Sequence, residues 1–260
     1  MSRVLFLSIL IVVIASLPIM NNWLANRSQI LNDDYIGKKL DDYINRNFDK
    51  IINTLKEQSI KSSYAARDNA TKGKILQYKN EIFDPAYPYS GNENSSVIAV
   101  GFFDYSCGYC KVIKDDIKQL INDGKIKYIF RDAPILGNNS LKAAKSALAV
   151  YFIDKEKYFD FHYAALDYKG EFSDENILSI VRSIGVNEDD FNNSMKNNAD
   201  KIEQMINGSK LLVRELGVGG TPFLIIGDSL FVGATDLDVL RKKVDELSHK
   251  QKLASAINLL

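Results

Sequence analysis

The sequence predicts an α/β protein in which a block of helices interrupts the strands and a further helical stretch precedes the core. Three observations predict it. A short apolar run at 97–103 is followed at once by the chain's only two cysteines, Cys107 and Cys110, and then by apolar residues at helical spacing. A stretch without strand patterning, 138–216, separates a strand-like segment at 126–130 from strand-like segments at 222–232. Before any of this, apolar residues from Ile36 to Leu55 recur at three- and four-residue steps.

The chain has 260 residues, long enough for one full core and an appended element, and its 46% apolar and 25% charged residues are ordinary for a globular protein. The formal net charge is zero, with Lys and Arg spread along the chain, so no electrostatic footprint for nucleic acid is present. No internal repeat is visible. Residues 1–20 read as a secretory signal: Arg3 precedes an apolar core from Val4 to Ile14, and Val13-Ile-Ala15 suits a cleavage point. The alternative is an uncleaved anchor running to Met20, interrupted by Ser8, Ser16 and Pro18 and barely reaching the roughly 20 residues a span needs. Cleavage is the preferred reading. In both, the domain is exported, to a periplasm or an equivalent compartment where disulfides persist.

Residues 21–83 form a helical N-terminal extension. Ile36, Leu40, Tyr43, Ile44, Phe48, Ile51, Ile52 and Leu55 make an apolar stripe opposite Asp33, Lys38, Asp41, Arg46, Asp49, Lys50 and Lys56. Such a helix either folds back on the core or packs against copies of itself, as a dimer or a trimer. Residues 59–73 are polar and read as a linker or a marginal helix, and 74–83 as a second short helix. Asp84-Pro-Ala-Tyr-Pro-Tyr-Ser-Gly91 is a turn-rich entry to the core, whose first part spans 84–137.

The insertion, 138–216, is expected to hold four helices: 141–153 capped by Asn139-Ser140, 158–166, 175–184 capped by Ser173, and 199–216 ending at Gly217. His162 lies among Phe159, Phe161 and Tyr163, where packing or surface exposure outweighs catalysis. The second part of the core, 217–247, begins Gly217-Val-Gly-Gly-Thr-Pro-Phe223. Gly227-Asp228 makes a hairpin turn between 223–226 and 229–232, and Thr235-Asp236 caps a helix at 237–247. The tail, 248–260, is weakly helical.

The candidate chemistry lies in Cys107-Gly108-Tyr109-Cys110. Cys107 falls at a helix N-terminus, where unpaired backbone N–H groups and the positive end of the helix dipole favour a thiolate. Cys110, one turn on, lies on the same side and can attack a mixed disulfide formed at Cys107. A C-x-x-C is also half of a zinc site, but there is no third or fourth Cys, and His162 and His249 stand alone without ligand spacing. No metal and no cofactor is called for. Pro222 opens a strand. Next to a C-x-x-C a cis Thr221–Pro222 bond is expected, turning the Thr221 backbone outward as an edge for an extended substrate; an ordinary trans edge-strand proline is the alternative.

Phe102-Phe-Asp-Tyr-Ser-Cys-Gly-Tyr-Cys-Lys111, the helical insertion, and Gly219-Gly-Thr-Pro-Phe223 followed by the Gly227-Asp228 hairpin together resemble the thioredoxin superfamily, and within it the DsbA-like secreted thiol–disulfide oxidoreductases. The resemblance implies a thioredoxin fold interrupted by a helical domain, Cys107 as nucleophile, Cys110 as resolving thiol and Thr221-Pro222 as the cis-proline loop. Two departures stand out. DsbA carries a buried Glu six residues ahead of the first Cys, where this chain has Gly101; the nearest acid is Asp104, which either helps to move protons or serves as a surface or capping carboxylate. The dipeptide Gly108-Tyr109 is similar to that of the disulfide isomerases. With the oligomerising segments that the 36–55 stripe resembles, it implies an isomerase acting on unfolded or misoxidised exported proteins, reset by a membrane redox partner. The alternatives are a dithiol oxidase that introduces disulfides, and an exported binding or scaffold protein with this fold and no catalysis.

Overall fold

The computed structural model describes residues 14–25 and 33–257. The apolar core of the leader lies outside them except for Ile14. Among the described residues no helix is long and apolar enough to cross a membrane. The chain divides into two units, Met1–Ala66 and Arg67–Leu260.

In the first unit residues 14–25 form helix α1, and helix α2 (Asp33–Gln77) begins, running on into the second unit. Of the linker and the marginal helix expected at 59–73, the structure has the helix, which also takes in the start of the helix expected at 74–83; α3 (Lys79–Ile82) is what remains of the latter. No proline interrupts α2. Ion pairs at i, i+4 join Asp42 to Arg46 and Asp68 to Lys72 (2.8 Å) along this polar, solvent-exposed helix. The stripe residues Ile36, Leu40, Tyr43, Ile44, Phe48 and Leu55 are exposed.

The second unit is built on a five-stranded sheet of order β1-β3-β2-β4-β5. Its strands are β1 (Tyr89–Gly91), β2 (Ile98–Phe103), β3 (Lys127–Asp132), β4 (Phe223–Ile226) and β5 (Ser229–Val232). β2 and β3 are parallel, and the crossover such a pair needs is helix α4 (Gly108–Asn122). The other pairs are antiparallel. β2 is buried along almost its whole length, which is why it is apolar throughout rather than alternating. At the β4–β5 turn Gly227 has φ +61°, the left-handed conformation that glycine adopts without a Cβ penalty.

Helices α5 (Asn138–Ile153), α6 (Lys155–Asp167), α7 (Asp174–Ser183), α8 (Glu188–Asn197) and α9 (Ala199–Leu216) lie between β3 and β4. The sequence reading had four helices here. The extra one, α8, is capped by Asn187, whose Oδ1 accepts from the Asp189 and Asp190 amides. Ser173 caps α7 as expected. Asn139 and Ser140 do not cap α5: the helix begins ahead of them with Gly137 at the cap position, and Asn139 Oδ1 instead accepts from the Phe172 amide at 2.6 Å. After β5, α10 (Leu237–Ile257) runs through most of the segment read as a tail. The turn-rich entry holds β1, paired with β3 from Tyr89↔Ile129 to Gly91↔Lys127.

Candidate active site

β2 leads into the site. Its last residue, Phe103, is followed by a three-residue turn to Cys107, which is the N-cap of α4 with extended backbone angles. Ile113, Ile117, Leu120 and Ile121 are buried and pin α4 to the sheet, so its first turn has a fixed place. β4 is antiparallel to β2 with Phe223 opposite Phe102, their rings stacked at 4.3 Å. That register sets the residues before β4 beside the turn after β2. There the Thr221–Pro222 bond is cis, and Cys107 Sγ lies 3.1 Å from the Thr221 carbonyl oxygen, to which it donates when protonated.

Both cysteines are free thiols and buried. They differ in surroundings. A hydrogen bond from the Cys110 thiol, with help from the Cys110 and Tyr109 amides, brings Cys107 down to about 5 against the opposing effect of partial burial. Cys107 is therefore almost fully thiolate at neutral pH. Burial, and then the hydrogen bond to Cys107, push Cys110 well above the ordinary thiol range. The Asp104 amide donates to its sulfur at 3.5 Å. One thiol gives up its proton readily; the other holds it.

Asp104 is buried, and its carboxylate is filled by backbone. Oδ1 accepts from the Ser106 amide at 2.7 Å, and Oδ2 from Ile135 and Leu136 at 2.9 and 3.0 Å. This is a carboxylate that ties the turn before Cys107 to the loop after β3. Gly108 and Tyr109 are exposed, and nothing lies within 4 Å of where a Cβ at Gly108 would stand. Tyr109 and Val112 present apolar surface at the mouth of the site, at 68% and 70% exposure. At Gly101 a Cβ would lie 1.7 Å from the Tyr128 hydroxyl, so the phenol of β3 occupies the place of any side chain there.

A model of the DsbA-like thioredoxin domain matches residues 99–245. The chain belongs to the DsbA-like thioredoxin family. It is similar to the crystal structure of the thiol-disulfide exchange protein alpha-DsbA2 from Wolbachia pipientis, at 84% identity and TM-score 0.69, over 70% of this chain and 98% of that one. It is similar also to a thioredoxin-like oxidoreductase from Silicibacter pomeroyi DSS-3, at 32% identity and TM-score 0.60, over 65% of this chain and 96% of that one. Disulfide bond formation protein D of Bacillus subtilis is 23% identical over 168 residues, 61% of this chain and 76% of that protein. The DsbA-like membership makes thiol–disulfide exchange the chemistry of the site. Of the two sulfurs beside the cis bond, Cys107 is the more acidic and Cys110 the more deeply buried.

Sequence reasoning passed over a buried polar group behind this DsbA-like pair. Asp132, Tyr105, Tyr158 and His162 are all buried and lie together. Asp132 has no functional part in the sequence reading, which gives His162 packing or surface exposure. The signal in the sequence was Arg131-Asp132 at the end of an apolar strand.

Proposed function

We propose that this protein is an exported disulfide isomerase that works as an oligomer. Cys107 attacks a wrong disulfide in a client, holds the mixed disulfide while a client thiol rearranges, and leaves as the acidic thiolate. Clients are unfolded or misoxidised exported proteins, and a membrane redox partner keeps the cysteines reduced. The exposed stripe of α2 carries the reading: six large apolar side chains on one face, from Ile36 to Leu55, call for a partner surface, and copies of the same helix meet that need as a dimer or trimer. Assembly is what distinguishes the two directions, because a shared enclosure shields reduced sites from reoxidation. Gly108-Tyr109 supports the same direction, since it places no cation beside Cys107 to strengthen the thiolate further.

The test is reactivation of scrambled ribonuclease alongside the mass of the protein in solution. Wild type is expected to be a dimer or trimer that restores activity. The double variant Leu40→Asp, Phe48→Asp is expected to have the mass of one chain and to lose most of that rescue while still oxidising reduced peptide. A single-chain mass for wild type sinks the assembly.

A dithiol oxidase is the second reading, and the acidity of Cys107 favours it. A stable thiolate makes the Cys107–Cys110 disulfide easy to reduce and thus a good donor. Equilibration with glutathione separates the two, together with fast peptide oxidation and poor rescue of scrambled substrate.

A further inference from the structure

Below Cys110 lies a cavity of about 30 Å³, bounded by Cys110, Lys114, Tyr128, His162 and Tyr163 among apolar side chains. It has room for a water molecule. His162, 4% exposed, forms part of its wall, and His162 Nδ1 lies 3.2 Å from the Tyr105 hydroxyl. The Tyr158 hydroxyl donates to Asp132 Oδ2 at 3.3 Å, and Tyr105 and Asp132 are close enough for each to shift the other's titration. Asp132 is 2% exposed, and its Oδ1 has no hydrogen-bond partner. A carboxylate so buried with an oxygen unpaired is costly unless it can take up a proton.

We propose that Asp132 is the proton acceptor for Cys110, reached through Tyr105, His162 and a water in the cavity beneath the thiol.

In the step it serves, the substrate is joined to Cys107 by a mixed disulfide. The Cys110 S–H bond breaks. Its proton passes to the water, and a proton of the water passes to His162 Nε2. The Nδ1 proton moves to the Tyr105 oxygen, and the Tyr105 hydroxyl proton to Asp132. The electron pair left on Cys110 attacks Cys107 Sγ, the bond to the substrate sulfur breaks, and that sulfur leaves as a thiolate protonated by solvent. The two protein thiols are oxidised to one disulfide, and the substrate disulfide is reduced to two thiols. Run backwards, the same chain returns the proton to Cys110.

The surroundings suit each part. Burial holds His162 at about 3, so it is a neutral acceptor that passes a proton on without storing it. Burial keeps Tyr105 and Tyr158 as phenols. Burial also raises Asp132 to about 7, opposed by Tyr105, Tyr158 and Arg131, so it can load and unload at neutral pH. The Arg131 guanidinium sits 3.4 Å over the Tyr87 ring, and Asp104 lies beyond Tyr105, its oxygens taken by amides. Tyr128 and Tyr163 remain phenols at the cavity wall. Lys114, paired with Asp167 at 3.1 Å, marks the competing route to the surface. The proposal does not depend on the direction of catalysis: an oxidase runs this step backwards, with Cys110 expelled and taking up the proton, and an isomerase runs it forwards to escape a stalled mixed disulfide.

Reduced full-length protein is mixed with one equivalent of 5,5′-dithiobis(2-nitrobenzoate) between about pH 5 and 9, and thionitrobenzoate release is followed by stopped flow. The first release reports Cys107, the second Cys110. In wild type the second rate is expected to climb through an inflection near pH 7, because below it Asp132 already carries a proton. Asp132→Asn and Tyr105→Phe should each slow the second release by at least about tenfold and erase that inflection, with the first release unchanged. Tyr105→Phe keeps the ring and decides the matter where Asp132→Asn does not fold. An unchanged second release in either folded variant overturns the proposal, and so does an inflection that survives both and moves in Lys114→Met. A missing first release in wild type would overturn thiol exchange itself.

Discussion

Helices α2 and α4 carry the same kind of apolar stripe and meet opposite fates. In α4 the stripe residues Ile113, Ile117, Leu120 and Ile121 are buried against the sheet, whereas in α2 Ile36, Leu40, Tyr43, Ile44, Phe48 and Leu55 stand in solvent. Amphipathic spacing states that a helix needs a surface to lie on. It does not state whether that surface belongs to the same chain. α4 lies against strands that precede and follow it in sequence, and what fixes it there also fixes Cys107 at its first turn.

Three measurements break or sharpen this contrast. The largest effect is expected from Leu120→Ala in α4. Leu120 is 1% exposed, and its truncation should cost about 3 kcal/mol, roughly 10 °C in the unfolding midpoint. A fall of only a degree or two would mean that α4 is held by something other than its stripe. The next concerns the site. Carboxymethylation of Cys107 should follow its thiolate, half-maximal near pH 5 and flat above it, while Cys110 stays unmodified at neutral pH. The profile should be the same in Leu40→Asp, Phe48→Asp as in wild type; a shift by a pH unit in that variant would give α2 a part in tuning the sulfur. The smallest is Leu40→Ala. Leu40 is exposed in the single chain, so the midpoint of dilute protein should move by no more than about 0.5 kcal/mol equivalent. A larger change that grows with protein concentration would report the partner surface directly.

What the sequence makes legible follows how local the signal is. β2, the Cys107–Cys110 turn and α4 are adjacent in the chain, each with its own period or boundary residues, and the hairpin at Gly227-Asp228 needs a turn only two residues long. β1 was missed because three residues are too few to show alternation, and its existence depends on the edge that β3 offers from far along the chain. α8 hides because Phe191 is its only buried large side chain; the acidic residues Glu188, Asp189 and Asp190 behind Asn187 were its readable mark. Polarity between residues 59 and 73 leaves a linker or a marginal helix open; the stretch holds Ser, Asn, Asp, Thr and Gly as well as Lys, Arg and Ala, and with no proline in it the helix runs through. In the site, Cys107, Cys110, Thr221 and Pro222 come together from two motifs that could be read separately. The carboxylates could not be read: whether Asp104 is filled by amides, or Asp132 left with a bare oxygen, is decided by which loops and rings reach them.

The Tyr128 hydroxyl stands where a side chain at Gly101 would begin, so the two positions constrain each other. A glutamate placed at 101 would collide with the phenol, and any side chain there calls for a smaller residue at 128; the absence of an acid from this strand is thus held in place by a ring on its neighbour.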